Sequence, residues 1–293
     1  EKSSELTKEI AILYEDRLKL INKIHSNLTR WQRVQLARHP ERPYALDYIN
    51  LIFADFMEIH GDRLFADDPA VVAGFAKIGD KKVAIIAQQK GRNTKENLYR
   101  NFGMMKPEGY RKALRIMKLA EKFKVPIITF MDTPGAFPGI GAEERGQGEA
   151  IAKNLIEMSA MKVPIISVVI GEGASGGALG IGVCDKFLMM QNSWYSVISP
   201  EGCASILFRD ASKAEEAAEA LKVTPDDMVN IGVCDVIISE PNGGAHRDPK
   251  SSARNLELAL LEGLSEFAGN KPDMFIDKRI ERYDAMGVFE DEK

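Results

Sequence analysis

The fold is decided by the stretch Ile165-Ile-Ser-Val-Val-Ile-Gly-Glu-Gly-Ala-Ser-Gly-Gly177. Its first six residues are uncharged and mostly apolar, which predicts a strand that is buried on both faces. The glycine-rich end predicts a tight turn, and a short helix is expected from about Gly176. A buried strand that runs through glycines into a helix is typical of α/β proteins with mostly parallel strands.

The same alternation of apolar strands and helices continues on both sides of this stretch. The predicted strands are residues 71–78, 83–88, 126–131, 164–170, 186–191, 195–198 and 236–238. The predicted helices are residues 44–56, 110–123, 143–161, 212–221, 225–231 and 251–267, with a further helix that begins at Pro200 behind a Ser199 cap. The sequence therefore predicts an α/β fold.

The first 38 residues predict a helix, because apolar residues recur there at roughly heptad spacing between charged ones. We expect residues 1–60 to form an N-terminal helical arm that packs on the body of the protein or on a partner. Residues 61–293 are expected to form the main domain.

Two pentapeptides occur twice. Lys124-Val-Pro-Ile-Ile128 recurs 38 residues later, and Ile181-Gly-Val-Cys-Asp185 recurs 50 residues later. The unequal offsets argue against a solenoid with one fixed period. They fit a spiral of strand–strand–helix turns with insertions, although chance reuse of a good helix-to-strand linker is the alternative.

Composition excludes several classes of protein. The net charge is −4, whereas a protein that binds nucleic acid usually has a basic patch or stripe, so nucleic acid is not indicated as a partner. No apolar run is long enough to span a bilayer. The three cysteines are odd in number and have no close pair, which favours a reducing, cytoplasmic compartment. No zinc-binding spacing occurs, so we expect no metal.

The glycine-rich turn fits three motifs. Gly171, Gly173 and Gly176 match the dinucleotide fingerprint G-x-G-x-x-G. That motif wants an acidic residue about 20 residues further on, and this chain has Gln191-Asn192 there. The dinucleotide interpretation is therefore disfavoured.

The same turn also matches the nucleophile elbow G-x-S-x-G, with Ser175 as the nucleophile. The order Ser, Asp, His is possible, since His246 follows the elbow. The candidate acids are Asp185, Asp210 and Asp235. His246 lies in a turn-like segment with no visible reason to reach the elbow, and a serine hydrolase remains the main rival interpretation.

The third interpretation needs only the backbone. Adjacent glycines at the start of a helix expose N–H groups with no β-carbon in the way, and the helix dipole favours negative charge there. Such amides can hold a developing oxyanion. The structural alternative is that the glycines merely permit tight packing of helix on strand.

A second turn of this kind, Asp132-Thr-Pro-Gly-Ala-Phe-Pro-Gly-Ile-Gly141, follows the strand predicted at 126–131. Its prolines stiffen the loop and its glycines allow close approach, and no Gly-Lys-Ser/Thr follows to make a P-loop. Turns at the carboxyl ends of parallel strands meet at one edge of a sheet. The two turns are therefore well placed to build one site between them.

Three long peptides, two of them these glycine turns, and three shorter ones resemble the carboxyltransferase alpha subunit family of bacterial acetyl-coenzyme A carboxylase. The long matches are Asp132-Thr-Pro-Gly-Ala-Phe-Pro-Gly139, Gly171-Glu-Gly-Ala-Ser-Gly-Gly-Ala178 and Tyr195-Ser-Val-Ile-Ser-Pro-Glu-Gly-Cys-Ala-Ser-Ile206. The short ones are Gln89-Lys-Gly-Arg92, Asn101-Phe-Gly103 and Pro107-Glu-Gly-Tyr-Arg-Lys112. The resemblance runs from the arm to about His246, with Ala174 where that turn often has glycine.

The resemblance implies a crotonase-like fold, a spiral of ββα units. It implies transfer of a carboxyl group from carboxybiotin, carried on a separate biotin carboxyl carrier protein, to acetyl-CoA, which gives malonyl-CoA for fatty-acid synthesis. It also implies a beta subunit with a four-cysteine zinc ribbon as partner, typically in an α2β2 heterotetramer. A serine hydrolase and a non-catalytic scaffold subunit are the alternatives.

By position, the resemblance implies a biotin oxyanion hole made by the N–H of Ala136 with that of Gly176 or Gly177. The other residues implied in substrate binding are Pro134, Gly135, Phe137, Gly173 and Ser175. Lys90 and Arg92 are expected to steer the CoA phosphates or the incoming carboxylate, with a solvated surface pair as the alternative. Because biotin supplies the base, no histidine or carboxylate dyad is required.

Overall fold

The computed structural model describes residues 2–287, apart from the side chains of residues 2–5. The strands in this range are β1 (Ala54–Glu58), β2 (Val71–Ile78), β3 (Lys81–Gln88), β4 (Ile127–Thr133), β5 (Ile165–Ala174), β6 (Lys186–Met190), β7 (Trp194–Ser196) and β8 (Val236–Ile238). The helices in this range are α1 (Lys2–His25), α2 (Arg30–Ala37), α3 (Ala45–Ile52), α4 (Thr94–Tyr99), α5 (Pro107–Phe123), α6 (Ile140–Glu144), α7 (Gln147–Ser159), α8 (Ser175–Leu179), α9 (Pro200–Leu207), α10 (Ala214–Leu221), α11 (Pro225–Asn230), α12 (Pro249–Glu266) and α13 (Pro272–Asp284).

One sheet joins the described strands in the order β1-β2-β3-β4-β5-β6-β8, and β7 pairs with the end of β5. Strands β1, β2 and β3 are antiparallel, and the pairs from β3 onward are parallel. Helices α5 and α7 pack on one face of the sheet, while α3 and α12 pack on the other. The prediction of an α/β fold with mostly parallel strands is confirmed.

The repeated pentapeptides have matching structural roles. Ile127 pairs with Ile165 and Ile128 with Ile166, so the first repeat starts two neighbouring parallel strands in the same register. In the second repeat, the Asp185 carboxylate accepts the N–H of Ile165 at 2.7 Å. Its counterpart Asp235 accepts the N–H of Phe187 in the next strand at 2.6 Å. Each copy therefore ties the start of one strand to its neighbour.

The N-terminal region differs from the single helix predicted over residues 1–38. Helix α1 ends at His25, and α2 begins after Thr29, whose side chain forms a capping box with Gln32. The apolar side chains of α1 that the structure describes are largely exposed, so this helix does not pack on the body. The Thr29 cap explains the break, because it gives the chain a new helix start.

Residues 30–58 do pack on the body. Tyr48 and Ile49 of α3 are fully buried in the core, and Arg42 forms a buried ion pair with Glu240 at 2.6 Å. The helix predicted over residues 44–56 is corrected here: α3 ends at Ile52, and strand β1, which pairs with β2, begins at Ala54. Its edge position and alternating exposure hide the strand from a search for apolar runs. The division at residue 60 stays a prediction.

Within residues 2–287, no helix is both long enough and apolar enough to cross a membrane.

Candidate active site

The two glycine turns contact each other at the carboxyl edge of the sheet. A β-carbon built on Gly177 would lie 2.2 Å from the carbonyl carbon of Gly135 and 2.6 Å from the nitrogen of Ala136. Only a residue without a side chain lets α8 approach the Gly135–Ala136 peptide this closely. The structure therefore brings together the residues that the sequence predicts to form one oxyanion hole.

The amides in this contact are available to a ligand. In the part of the chain that the structure describes, the N–H of Ala136 donates to no protein acceptor, whereas the next amide, Phe137, donates to the carbonyl of Met105 at 3.1 Å. Gly176 and Gly177 lie in the first turn of α8, where amides have no preceding helical carbonyl to donate to, and no other described residue accepts from them. The N–H groups of Ala136, Gly176 and Gly177 thus lie close together, and none of them donates to an acceptor in the described residues.

A cavity of about 280 Å³ lies beside α8. It is lined by Ser175, Gly176, Leu179, Tyr195, Ser196 and Val197. Val197 is 81% exposed and Leu179 is 38% exposed, so the wall of this cavity is apolar and open on one side. Amide donors beside an apolar wall suit a flat ring that carries one carbonyl oxygen.

Ser175 has part of the geometry of a nucleophile elbow. It is exposed, it sits where β5 turns into α8, and its φ of 58° is a left-handed value that non-glycine residues rarely adopt. A strained serine between strand and helix is a feature of the elbow motif. Ser175 is therefore the one member of the hydrolase interpretation that the structure supports.

The other members of that triad lie elsewhere. The ring of His246 stacks on His39 at 3.7 Å between centroids, and within residues 2–287 no hydrogen bond joins Ser175 to a histidine or a carboxylate. The candidate acids are already engaged: Asp185 and Asp235 bind strand amides at the opposite edge, and Asp210 caps Ser212. The structure does not assemble the triad.

Lys90 and Arg92 separate into different environments. Lys90 Nζ lies 2.7 Å from Asp132 Oδ1 and 2.6 Å from Glu172 Oε2, with only 12% of its side chain exposed. The alternative of a solvated surface pair is wrong for Lys90, because two acidic side chains enclose its ammonium group. Arg92 instead lies over the ring of Tyr44 at 4.1 Å and forms an ion pair with Asp47.

Lys90, Asp132 and Glu172, here called the Lys90 cluster, connect through Glu172 to Arg38 at the end of helix α2. Glu172 accepts from Arg38 Nε at 2.6 Å, and Arg38 also binds Glu201 at the start of α9. Burial raises the pKa of Glu172, but the charges of Lys90 and Arg38 outweigh it and hold that pKa below its usual range. Burial likewise lowers the pKa of Lys90, and its two acidic partners outweigh it and raise that pKa. Both groups are charged at neutral pH.

A second cavity of about 200 Å³ opens beside this cluster. It is lined by Ala37, Arg38, Tyr44, Lys90, Asn97, Phe102, Pro134 and Glu172. The predicted residue Pro134 thus lines the same cavity as Lys90, whereas Ser175 lines the other one. Charged side chains line this cavity, in contrast to the apolar one beside α8.

The remaining predicted residues have these places. Gly135 donates its N–H to Thr133 Oγ1 at 3.2 Å, within the turn at residues 132–141. The ring of Phe137 lies 5.0 Å from Lys106 Nζ. Gly173 is inside β5, where it pairs with Thr133 on one side and with Tyr195 on the other. A β-carbon on Gly173 would lie 2.6 Å from Cδ2 of Tyr195, which explains the glycine without a substrate.

Sequence reasoning missed four polar residues of this region: Gln88, Asp132, Glu172 and Arg38. Three of them lie inside or beside quoted motifs, so the signal was a polar residue at the end of an apolar strand. Arg38 gave no such signal, because its role depends on how α2 folds back onto β5.

Comparisons with known proteins bear on this geometry. Residues 1–287 match the family described as acetyl co-enzyme A carboxylase carboxyltransferase-like. The acetyl-coenzyme A carboxylase carboxyl transferase subunit alpha of Chlorobium luteolum is 57% identical, and the match covers 99% of this chain and 88% of that protein. The subunit of the same name from Geobacter sulfurreducens is 60% identical over 94% of this chain and 85% of its own length.

Solved structures show the same fold at low identity. A Pseudomonas malonate decarboxylase hetero-tetramer in complex with coenzyme A matches with a TM-score of 0.60 at 16% identity, covering 74% of this chain and 88% of that one. Transcarboxylase 12S, solved as a hexamer with methylmalonyl-coenzyme A bound, matches with a TM-score of 0.59 at 23% identity, covering 75% and 42%. They confirm the predicted crotonase-like α/β fold. Because the family match covers residues 1–287 and the relatives named above are alpha subunits, the chain belongs to the acetyl-coenzyme A carboxylase carboxyltransferase family, as an alpha subunit.

Proposed function

We propose that this chain transfers a carboxyl group from carboxybiotin, held on a separate biotin carboxyl carrier protein, to acetyl-CoA, and so forms malonyl-CoA for fatty-acid synthesis in the cytoplasm. The observation that carries the proposal is the contact between the two glycine turns, beside which the amides of Ala136, Gly176 and Gly177 have no protein acceptor among the described residues. Relatives at 55–60% identity carry the name of this activity.

The chain's own part in the reaction is electrostatic. Biotin, when its carrier presents it, supplies both the carboxyl group and the base that takes a proton from the methyl group of acetyl-CoA. The amides of Ala136 and of Gly176 or Gly177 would donate to the ureido oxygen as negative charge develops on it. A donor of this kind typically contributes about 2.7–4 kcal/mol to the transition state, or roughly 10²–10³ in rate.

A second subunit is expected to complete the site. The apolar side chains of Leu179 and Val197 are exposed beside the free amides, where a partner or a bound ring would cover them. We propose that the partner is the zinc-ribbon beta subunit, which brings the acetyl-CoA half of the site in an α2β2 heterotetramer.

The test is reconstitution. The chain is mixed with its candidate beta subunit, and decarboxylation of malonyl-CoA to acetyl-CoA is measured with and without free biotin. We expect biotin-dependent turnover from the mixture and none from this chain alone. Biotin-independent turnover, or full activity of this chain alone, would contradict the divided site.

A serine hydrolase is the second candidate, because Ser175 has a left-handed φ at a strand-to-helix turn. A fluorophosphonate probe tests it directly, since such probes label activated serines. Labelling of wild-type chain that is lost in Ser175→Ala would support the hydrolase. We expect no labelling, since no histidine reaches Ser175 within residues 2–287.

A further inference from the structure

Gln88 and Lys90 lie two residues apart at the carboxyl end of β3. Lys90 reaches strands β4 and β5, and Gln88 reaches β4 and helix α8, which directly follows β5. Gln88 is fully buried, and the Lys90 side chain is 12% exposed. Each of the two glycine turns follows one of these strands within a few residues. The pair therefore stands next to both halves of the proposed oxyanion hole without belonging to either.

The register of the ladder between β4 and β5 shifts between Met131 and Thr133, close to Gln88 and Lys90. Met131 pairs with Val169, but Thr133 pairs with Gly173, so β5 advances four residues while β4 advances two. A regular ladder fixes register through its repeating hydrogen bonds, and a slip interrupts them. Side chains that cross this interval therefore contribute to holding the two turns at their separation.

Lys90 and Asp132 bridge the slip by charge. Asp132 Oδ1 accepts the N–H of Glu172 at 3.0 Å and also lies 2.7 Å from Lys90 Nζ. Lys90 in turn binds the Glu172 carboxylate at 2.6 Å. These three groups form a closed ring that joins β4 to the extra residues of β5. The turn at Gly103 covers it, since a β-carbon there would lie 2.6 Å from the Asp132 carbonyl oxygen and 3.1 Å from Lys90 Cγ.

Gln88 continues the bridge to the turn itself. Its Nε2 donates to the carbonyl of Gly177 at 2.7 Å, and its Oε1 accepts the N–H of Asp132 at 3.1 Å. One side chain thus joins the strand that leads to Ala136 with the residue that supplies the opposing amide. Tyr110 donates to the same Gly177 carbonyl at a longer 3.3 Å.

We infer that Gln88 and Lys90 are positioning residues that set the distance between the amides of Ala136 and Gly177. The inference rests on the proposed function and changes the expected role of Lys90. Because two carboxylates already bind the Lys90 ammonium group and neutralise its charge, it would attract a CoA phosphate only weakly. A misplacement of about 1 Å can cost roughly 10²-fold in rate, so a bridge of this kind affects turnover more than binding.

The test compares turnover with KM in the complex with the second subunit, using malonyl-CoA and free biotin. Lys90→Met and Gln88→Met are each expected to lower kcat by up to about 10²-fold and to leave the KM for malonyl-CoA nearly unchanged. Gln88→Met leaves no buried charge unpaired, so it keeps the test decisive if Lys90→Met fails to fold. Lys90→Arg should recover part of the lost kcat, because it keeps the charge and the donors.

The matched control is Arg279→Met, which breaks a comparably buried ion pair, Arg279–Asp185, at the opposite edge of the sheet. It should keep wild-type kcat. A raised KM with unchanged kcat in Lys90→Met would mean that Lys90 binds the CoA substrate, and equal kcat losses in Lys90→Met and Arg279→Met would mean a general loss of structure. Either result overturns the inference, while an inactive wild-type complex would overturn the proposed function instead.

Discussion

The two edges of the parallel sheet both contain buried ion pairs, yet they differ in what surrounds the charges. At the amino edge, Arg279 of α13 pairs with Asp185 at 2.7 Å, and Arg282 pairs with Asp235 at 2.7 Å. The remaining donors of Arg279 end on backbone carbonyls of residues 158–163. This edge uses its charges to tie a terminal helix to the starts of the strands.

At the carboxyl edge, the Lys90 cluster lines a cavity of about 200 Å³ and lies next to amides that have no protein acceptor in the described part of the chain. Buried charge is common to both edges and so does not mark a site by itself. A cavity does not mark a site by itself either, since one of about 380 Å³ lies at the amino edge beside Lys81, Pro126 and Pro164. The distinguishing feature is the set of amides at the carboxyl edge that have no protein acceptor within residues 2–287. Three changes of the carboxyl edge and one of the amino edge test this comparison.

The largest effect is expected from Ala136→Pro. Proline has no N–H, so the change removes one proposed oxyanion donor that a side-chain deletion cannot reach. Turnover should fall by roughly 10²–10³-fold. The measurement is biotin-dependent decarboxylation of malonyl-CoA, with the complex shown intact by gel filtration. Near-normal turnover in an intact complex would place the site elsewhere.

Gly177→Val tests the contact between the turns. In the structure the added β-carbon points at the Gly135–Ala136 peptide, 2.2 Å from Gly135, and not into the space for a ring. The two turns must therefore move apart, and turnover should fall by up to about 10²-fold. Gly148→Ala is the control, since a β-carbon there meets nothing within 4 Å in helix α7. If both variants keep turnover, the separation of the turns does not matter.

The amino edge is tested by Arg279→Met. The change leaves the Asp185 carboxylate buried without its partner, and breaking a buried pair in this way typically costs about 3–5 kcal/mol. We expect the free energy of unfolding, measured by urea titration, to fall by that amount while turnover per folded complex is kept. A loss of turnover with unchanged stability would contradict the division of roles between the two edges.

The sequence predicted the structure best where a residue type is typical of one local geometry, such as apolar runs in buried strands, serine at a helix N-cap and glycine in tight turns. The apolar runs predict β2 and β8 at the bounds observed, and Ser199 does cap α9 by accepting the N–H of Gly202 at 3.1 Å. Gly177 leaves no room for a β-carbon against Gly135, and Gly135 has a φ of 152°, which other residues rarely adopt. The glycines of both turns could therefore be recognised in the sequence. Helix α13 was missed, because its burial depends on Arg279 reaching the distant residues 158–163.

The Lys90 cluster was beyond prediction for a similar reason. Its partners Asp132 and Glu172 are 40 residues apart in the chain, and the slip between β4 and β5 brings them together. Glu172 lies in a quoted motif at the end of an apolar strand, but its neighbours in the sequence do not show that two cations bind it. Pattern alone therefore located the backbone of the candidate site but not the side chains that hold it.

The smallest effect is expected at Ser175. If backbone amides do the chemistry, Ser175→Ala keeps most of the turnover, and Ser175→Gly keeps it as well. A φ of 58° is unfavourable for serine and free for glycine, so Ser175→Gly should match or raise the midpoint of thermal unfolding. A nucleophilic serine would lose roughly 10³-fold or more in both variants. Turnover and unfolding measured on the same preparations separate the two cases, because only a nucleophile loses its rate in a chain that folds as well as the wild type.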